Sequence, residues 1–186
     1  MAKIALTGKP CAGKTSFARA LSRLIALCVV DVGDVLRQAL LRHGVAPATR
    51  AEIGPVFLRH YSPEAIAHLL LNVPQSHTVI VFDAVRLLPT CRILQDAGVL
   101  IWYVDSDEGE RRKRLDRRLR SAGLTDEALA RARLDYASYD SEQTAVRHAA
   151  VGIINNTGTL DALDQEAAKY LKHVPGLPPR RLSDCG

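Results

Sequence analysis

The feature that most restricts this chain is the octet Gly8-Lys9-Pro10-Cys11-Ala12-Gly13-Lys14-Thr15, which fits G-x-x-x-x-G-K-[ST]. It stands between a short apolar run, Lys3 to Thr7, and an amphipathic run, Lys14 to Leu27. The second run places Phe17, Ala18, Leu21, Leu24 and Ile25 on one helical face. A strand, a glycine-containing loop and a helix in that order are what a phosphate loop needs. The glycines let the backbone curl so that its N–H groups face phosphate oxygens, and the helix N-terminus adds its positive dipole end. Gly8, Pro10, Cys11, Ala12, Gly13, Lys14, Thr15 and Ser16 are therefore expected around the phosphates of ATP. Lys14 is expected to reach the β- and γ-phosphates and the Thr15 hydroxyl to reach Mg²⁺.

The rest of the chain alternates strand and helix signals. Expected strands are Lys3 to Thr7, Cys28 to Val32, Thr78 to Phe82, Val99 to Val104, and Gly152 to Asn155 with Val151. Expected helices run Lys14 to Leu27, Val35 to His43, Thr49 to His60, Pro63 to Leu71, Leu88 to Ala97, Glu108 to Ser121, Thr125 to Ser138 and Leu160 to His173. Ser62 and Thr125 read as N-caps. Such alternation implies an α/β fold: a five-stranded parallel sheet between helical layers. Residues 1–174 read as one domain and 175–186, rich in Pro, Gly and Arg, as a disordered tail.

Composition narrows the class. Hydrophobic residues make up 47% of the 186 and aromatics only 5%, so the core rests on Ala, Leu, Val and Ile. The best apolar run, Leu21 to Val32, is interrupted by Ser22 and Arg23 and is too short to span a membrane. Met1 leads directly into a strand-like run with no signal peptide, so the cytoplasm is the expected compartment. Cys11, Cys28, Cys91 and Cys185 show neither CxxC pairing nor metal spacing and read as free thiols. Cys11 is either an oxidation-sensitive thiol or, the favoured reading, a small residue that fits the loop. No histidine has metal spacing, and His60 and His68 read as surface or helix residues. The net charge of +5 suits an anionic ligand, nucleotide or nucleic acid. Arginine greatly outnumbers lysine, which reflects either bidentate phosphate recognition or a GC-rich genome.

Two more segments stand at strand ends, where ligands of open α/β sheets bind. They are Gly33-Asp34-Val35-Leu36-Arg37 and Asp83-Ala84-Val85-Arg86. With the phosphate loop and the Arg-rich run Arg111 to Arg118, they make the chain resemble the nucleoside monophosphate kinase-like P-loop kinases. That family's pattern is a Walker A loop, G-D-h-h-R, D-G-x-x-R or D-x-x-R, and an Arg-rich lid. The closest resemblance is to the branch of archaeal dephospho-CoA kinase-like proteins and phage deoxynucleotide monophosphate kinases. Leu58-Arg59-His60-Tyr61, Ala65-Ile66-Ala67 and Ile154 to Leu163 support it. Ala84 departs from the family's usual glycine, and Leu87 to Cys91 lacks the glutamate that many relatives carry.

The resemblance implies a three-layer P-loop kinase fold with a helical acceptor-binding insert over 35–73 and a basic helix and short lid over 111–125. It implies that Arg37 and Arg86 grip an acceptor phosphate, with Gly33, Asp34 and Arg59 beside it. Asp83 would order Mg²⁺ together with Thr15, the Walker B role. Arg114 and Arg118 would contact the donor nucleotide, and Asn155 to Gly158 would meet its adenine, mainly through backbone. Each has a plainer alternative: Asp34 as the N-cap of the following helix, Arg37 and Arg86 as surface ion-pair partners, Asn155 to Gly158 as an ordinary turn. At helical spacing Arg111, Arg114 and Arg118 share a face, with Arg117 beside them, while Lys113 and Arg120 read as a solvated face. The lid is expected from about Arg117 to Thr125, with Gly123 as hinge. Arg50, Arg59 and Tyr61 are the suggestive polar residues of the insert, and Asp140 and Glu142 carry no assigned role.

The expected chemistry is in-line transfer of the γ-phosphoryl group of ATP to a nucleoside or deoxynucleoside monophosphate. Lys14, Asp34, Arg37, Asp83, Arg86, Arg114 and Arg118 would form the reacting site. Three alternatives stay open: a dephospho-CoA kinase with Asp34 as base, a kinase acting on nucleic acid, and a slow ATPase switch. The small-molecule acceptor is preferred over nucleic acid because no aromatic stacking platform accompanies the basic helix. The chain is expected to be a monomer or homodimer.

Overall fold

The structure is a computed structural model and describes residues 2–74, 77–121, 143–156 and 158–175. Five strands form one sheet: β1 (Ala2–Thr7), β2 (Cys28–Asp31), β3 (Val79–Asp83), β4 (Leu100–Asp105) and β5 (Gly152–Asn155). Their order is β2-β3-β1-β4-β5, and every neighbouring pair is parallel. Side-chain alternation sorts the central strands between two cores. Ala5, Ile80, Phe82, Ile101 and Tyr103 face one layer. Ile4, Leu6, Val79, Val81, Trp102 and Val104 face the other.

Helix α1 (Lys14–Leu24) and helix α8 (Leu160–Leu171) cover the second face. Phe17, Trp102 and Tyr170 meet there edge to face, with centroids 5.3 to 6.4 Å apart. The first face is covered by α2 (Val32–Arg42), α3 (Ile53–His60), α4 (Pro63–Leu71) and α5 (Leu88–Asp96). A short 3-10 turn, Arg50–Glu52, precedes α3. Helix α6 (Glu108–Ser121) follows β4, and a further helical stretch, α7, covers 143–149. Among the described residues no helix is long and apolar enough to cross a membrane.

Several boundaries differ from the sequence reading, and α1 ends at Leu24 rather than Leu27 because Ile25 is already extended. Helix α2 begins at Val32 rather than Val35, because Asp31, the last residue of β2, is its N-cap and accepts the Asp34 N–H at 3.1 Å. Asp34 therefore lies inside the first turn and is not the cap, and Gly33 is helical. The segment expected as one helix from Thr49 splits into the 3-10 turn and α3. Ser62 occupies the N-cap position of α4 without a capping side-chain bond; its side chain instead hydrogen-bonds Glu64 and lowers the pKa of that carboxyl. The expected helix from Thr125 to Ser138, the hinge at Gly123, and Asp140 and Glu142 lie outside the described residues.

Candidate active site at the carboxyl end of the sheet

Parallel pairing brings the carboxyl ends of the strands together. Leu6 pairs with Asp83, Asp83 with Asp31, Thr7 with Tyr103, and Asp105 with Asn155. The phosphate loop rises from β1 into this row. Gly8 has φ +131° and Gly13 φ +101°, conformations that side chains resist. Space reinforces the choice, since a Cβ on Gly8 would overlap the Val104 carbonyl and one on Gly13 the side-chain amide of Asn156.

Lys14 is buried, and its Nζ donates to the carbonyls of Gly8 and Lys9 at 2.8 Å each. Burial lowers its pKa to about 8, and the neighbouring Arg86 guanidinium pushes the same way. Thr15 Oγ1 donates to Asp83 Oδ2 at 2.7 Å. The other Asp83 oxygen is buried without a hydrogen-bond partner among the described residues. An unpaired buried carboxylate oxygen is costly, and a hydrated divalent cation beside Thr15 would satisfy it. The hydroxyl and carboxylate pair thus fits Mg²⁺, a hard cation that prefers oxygen. Ala84, immediately after Asp83, has φ +76°, which accounts for glycine at this place in the resembled family.

Other side chains brace the loop from outside the motif. Arg111, 3% exposed, donates to the Pro10 carbonyl at 3.3 Å and holds Glu108 through Nε at 3.0 Å and Nη2 at 2.6 Å. These bonds, with Arg112 and Lys9 nearby, lower the Glu108 pKa to about 2. Leu115 and Leu119 of α6 pack with Cys11. Asn156 Nδ2 donates to the Ala12 carbonyl at 2.7 Å. Gln143 of α7, 2% exposed, donates to the carbonyl of Arg86 at 3.1 Å.

The sequence-expected residues fall into groups. Gly8, Pro10, Cys11, Ala12, Gly13, Lys14, Thr15, Ser16 and Asp83 come together at the loop, with Arg86 close enough to act on Lys14. Asp34 and Arg37 form a second group with Asp31 and Arg50. Arg50 pairs with Asp31 and lies 3.8 Å from Asp34, which is 3.9 Å from Arg37. Asp34, Arg37, Pro47, Ala48, Thr49, Arg50 and Ile53 line a cavity of about 330 Å³. Gly33 is not among the lining residues; a Cβ there would lie 3.0 Å from Asp31 and 3.9 Å from Arg50, which does line the cavity. Arg59 is exposed on α3 and outside the cavity lining.

On α6 the face that meets the loop carries Arg111, Leu115 and Leu119. Arg114 is half-buried beside it and Arg118 is exposed. Lys113 is exposed and paired with Glu110. Asn155 and Gly158 are exposed at the end of β5, and the inward residue is Asn156.

Sequence reasoning passed over Asn156, Arg111 as a buried brace, and Gln143. Strand alternation could have found the first, because Asn156 shares a face with buried Ile154. No local pattern marks the other two.

Residues 4–135 match AAA_18, described as AAA domain. The chain belongs to this AAA domain family. The AAA domain chain is also similar to a UPF0200 protein of Aeropyrum pernix, 28% identical over 173 residues that cover 89% of this chain and 90% of that one. Among solved structures it resembles shikimate kinase from Acinetobacter baumannii in complex with shikimate, with a TM-score of 0.64, 18% identity and coverage of 93% and 92%. It also resembles TT1252 from Thermus thermophilus, with a TM-score of 0.60, 19% identity and coverage of 92% and 96%. The fold of this AAA domain protein is that of the P-loop kinases.

Proposed function

We propose that this chain transfers the γ-phosphoryl group of ATP to the phosphate of a nucleoside or deoxynucleoside monophosphate. The observation that supports the reading is the position of two groups of residues at neighbouring strand ends. Lys14, Thr15 and Asp83 form the first. Asp34, Arg37 and Arg50 line a cavity that starts one helical turn after Asp31, the register partner of Asp83. The family match and the P-loop kinase fold support phosphoryl transfer as the class of reaction.

The loop's N–H groups and Lys14 bind and orient the donor phosphates. Thr15 and Asp83 would hold Mg²⁺, which would supply charge neutralisation on the donor phosphates. Arg37 and Arg86 hold the acceptor phosphate against electrostatic repulsion from the donor, and Arg114 and Arg118 close on the donor side. An ionised acceptor phosphate needs no strong base, so positioning and charge neutralisation suffice.

A second reading is favoured by the Asp34 carboxylate on the cavity wall: a hydroxyl acceptor, as in dephospho-CoA, with Asp34 taking its proton. The shikimate-bound neighbour of the same fold makes a small hydroxy acid a fair member of the test set.

ADP release from Mg-ATP should be measured across ribo- and deoxynucleoside monophosphates, dephospho-CoA and shikimate, with Lys14→Ala as control. Strong selective stimulation by one monophosphate is expected. Stimulation by a hydroxyl acceptor alone would replace the first reading with the second. Slow Lys14-dependent hydrolysis that no acceptor stimulates would overturn both.

A further inference from the structure

Asn156 stands one residue past β5 and is 7% exposed. Its backbone N–H donates to the Asp105 carbonyl at 2.7 Å, which extends the β4–β5 ladder by one step. Its Nδ2 reaches the Ala12 carbonyl at 2.7 Å across 144 residues of sequence. Only the nitrogen end of the amide can face a carbonyl, so its orientation is fixed by chemistry. The same nitrogen fills the space where a Cβ on Gly13 would sit.

Four carbonyls of the loop receive side-chain donors. Lys14 takes those of Gly8 and Lys9, Arg111 that of Pro10, and Asn156 that of Ala12. The peptide between Ala12 and Gly13 is planar and trans, so its carbonyl and N–H point in opposite directions. Holding the carbonyl of Ala12 inward turns the N–H of Gly13 outward. Without that bond, the freedom of Gly13 lets this peptide rotate and present an oxygen to an anion.

We infer that Asn156 is a positioning residue for polyphosphate binding: from the end of β5 it fixes the direction of the Ala12–Gly13 peptide in the phosphate loop. This rests on the reading of Gly8 to Thr15 as the donor-phosphate site. Asn156 lies within the segment Asn155 to Gly158 expected to meet the adenine, but its side chain is directed at the loop carbonyl of Ala12 and acts through the loop.

The test is calorimetric titration of wild type, Asn156→Ala and Asn156→Asp with Mg-tripolyphosphate, which has no base, and with Mg-ATP. Asn156→Ala is expected to bind tripolyphosphate about tenfold more weakly, the scale of one lost buried hydrogen bond. Asn156→Asp, nearly the same shape but without the donor and with a negative charge, is expected to bind more weakly still. The ratio of ATP to tripolyphosphate affinity stays unchanged in both.

Unchanged tripolyphosphate affinity, with or without a lower melting temperature, would overturn the inference, as would a loss confined to ATP. Should the alanine variant fail to fold, Asn156→Leu, uncharged and of similar size but without the donor, decides in its place. A wild-type protein that binds no tripolyphosphate would remove the phosphate-site reading itself, and the inference with it.

Discussion

Lys14 shows how one residue carries both a structural and a chemical state. Its folded pKa, about 8, lies below the ordinary value because burial disfavours the charge and Arg86 adds repulsion. A bound polyphosphate favours the ammonium and raises that pKa again. Affinity is therefore full below about pH 8 and falls as the pH rises through it. In isothermal titration at about pH 8.5, wild-type protein is expected to take up a fraction of a proton on binding tripolyphosphate. Lys14→Arg, always charged, is expected to show no such uptake.

Ala84 gives a second test at this scale. A left-handed alanine costs about 1–2 kcal/mol, and glycine would relieve that at about 0.4–1 kcal/mol of added unfolded-state freedom. Urea unfolding should find Ala84→Gly unchanged or more stable by up to about 1.6 kcal/mol, and Ala84→Val clearly destabilised.

Elements carry the next level of specificity. Gly152 opens β5 where Tyr170 of α8 lies across it, and a Cβ there would come within 2.6 Å of the Tyr170 ring. Gly152→Ala is expected to cost about 1–3 kcal/mol in chemical unfolding. The penalty should shrink in a Tyr170→Ala background, which a double-mutant cycle would measure.

The strands and most helices were legible because their signals are local: apolar alternation, a glycine loop, a proline at the first turn of α4. The start of α2 was not, because two aspartates three residues apart could each cap it and only the end of β2 decides for Asp31. Asn155 was chosen over Asn156 because turn composition does not say which amide faces inward. Arg111 was read as one member of a basic face. An arginine is ordinarily solvated, and only the approach of α6 to Pro10 explains its burial. The row Lys14, Thr15 and Asp83 was readable from motifs, whereas the role of Arg50 beside Asp31 and Asp34 needed the fold of the 3-10 turn.

At the scale of the whole molecule, the phosphate loop is tied to β1, to α6 through Arg111, and to the end of β5 through Asn156. A ligand held by this loop therefore binds the folded chain and not the unfolded one. At a hundred times its dissociation constant it stabilises by about 2.7 kcal/mol, which corresponds to a rise in melting temperature of about 5–10 °C for a chain of this size. Differential scanning fluorimetry with Mg-tripolyphosphate is expected to show the rise in wild type, and Lys14→Ala to lose it.

The engaged carbonyls have a consequence for timing. A cradle whose peptides are already oriented has little backbone to rearrange when an anion arrives, and the Lys14 ammonium exchanges the Gly8 and Lys9 carbonyls for the phosphates. Capture would then proceed at the ordinary rate of encounter, helped by the positive charge of the chain. Polyphosphates of different length would differ in how long they stay rather than in how fast they enter. Stopped-flow traces would read this as similar association constants and a spread of dissociation constants.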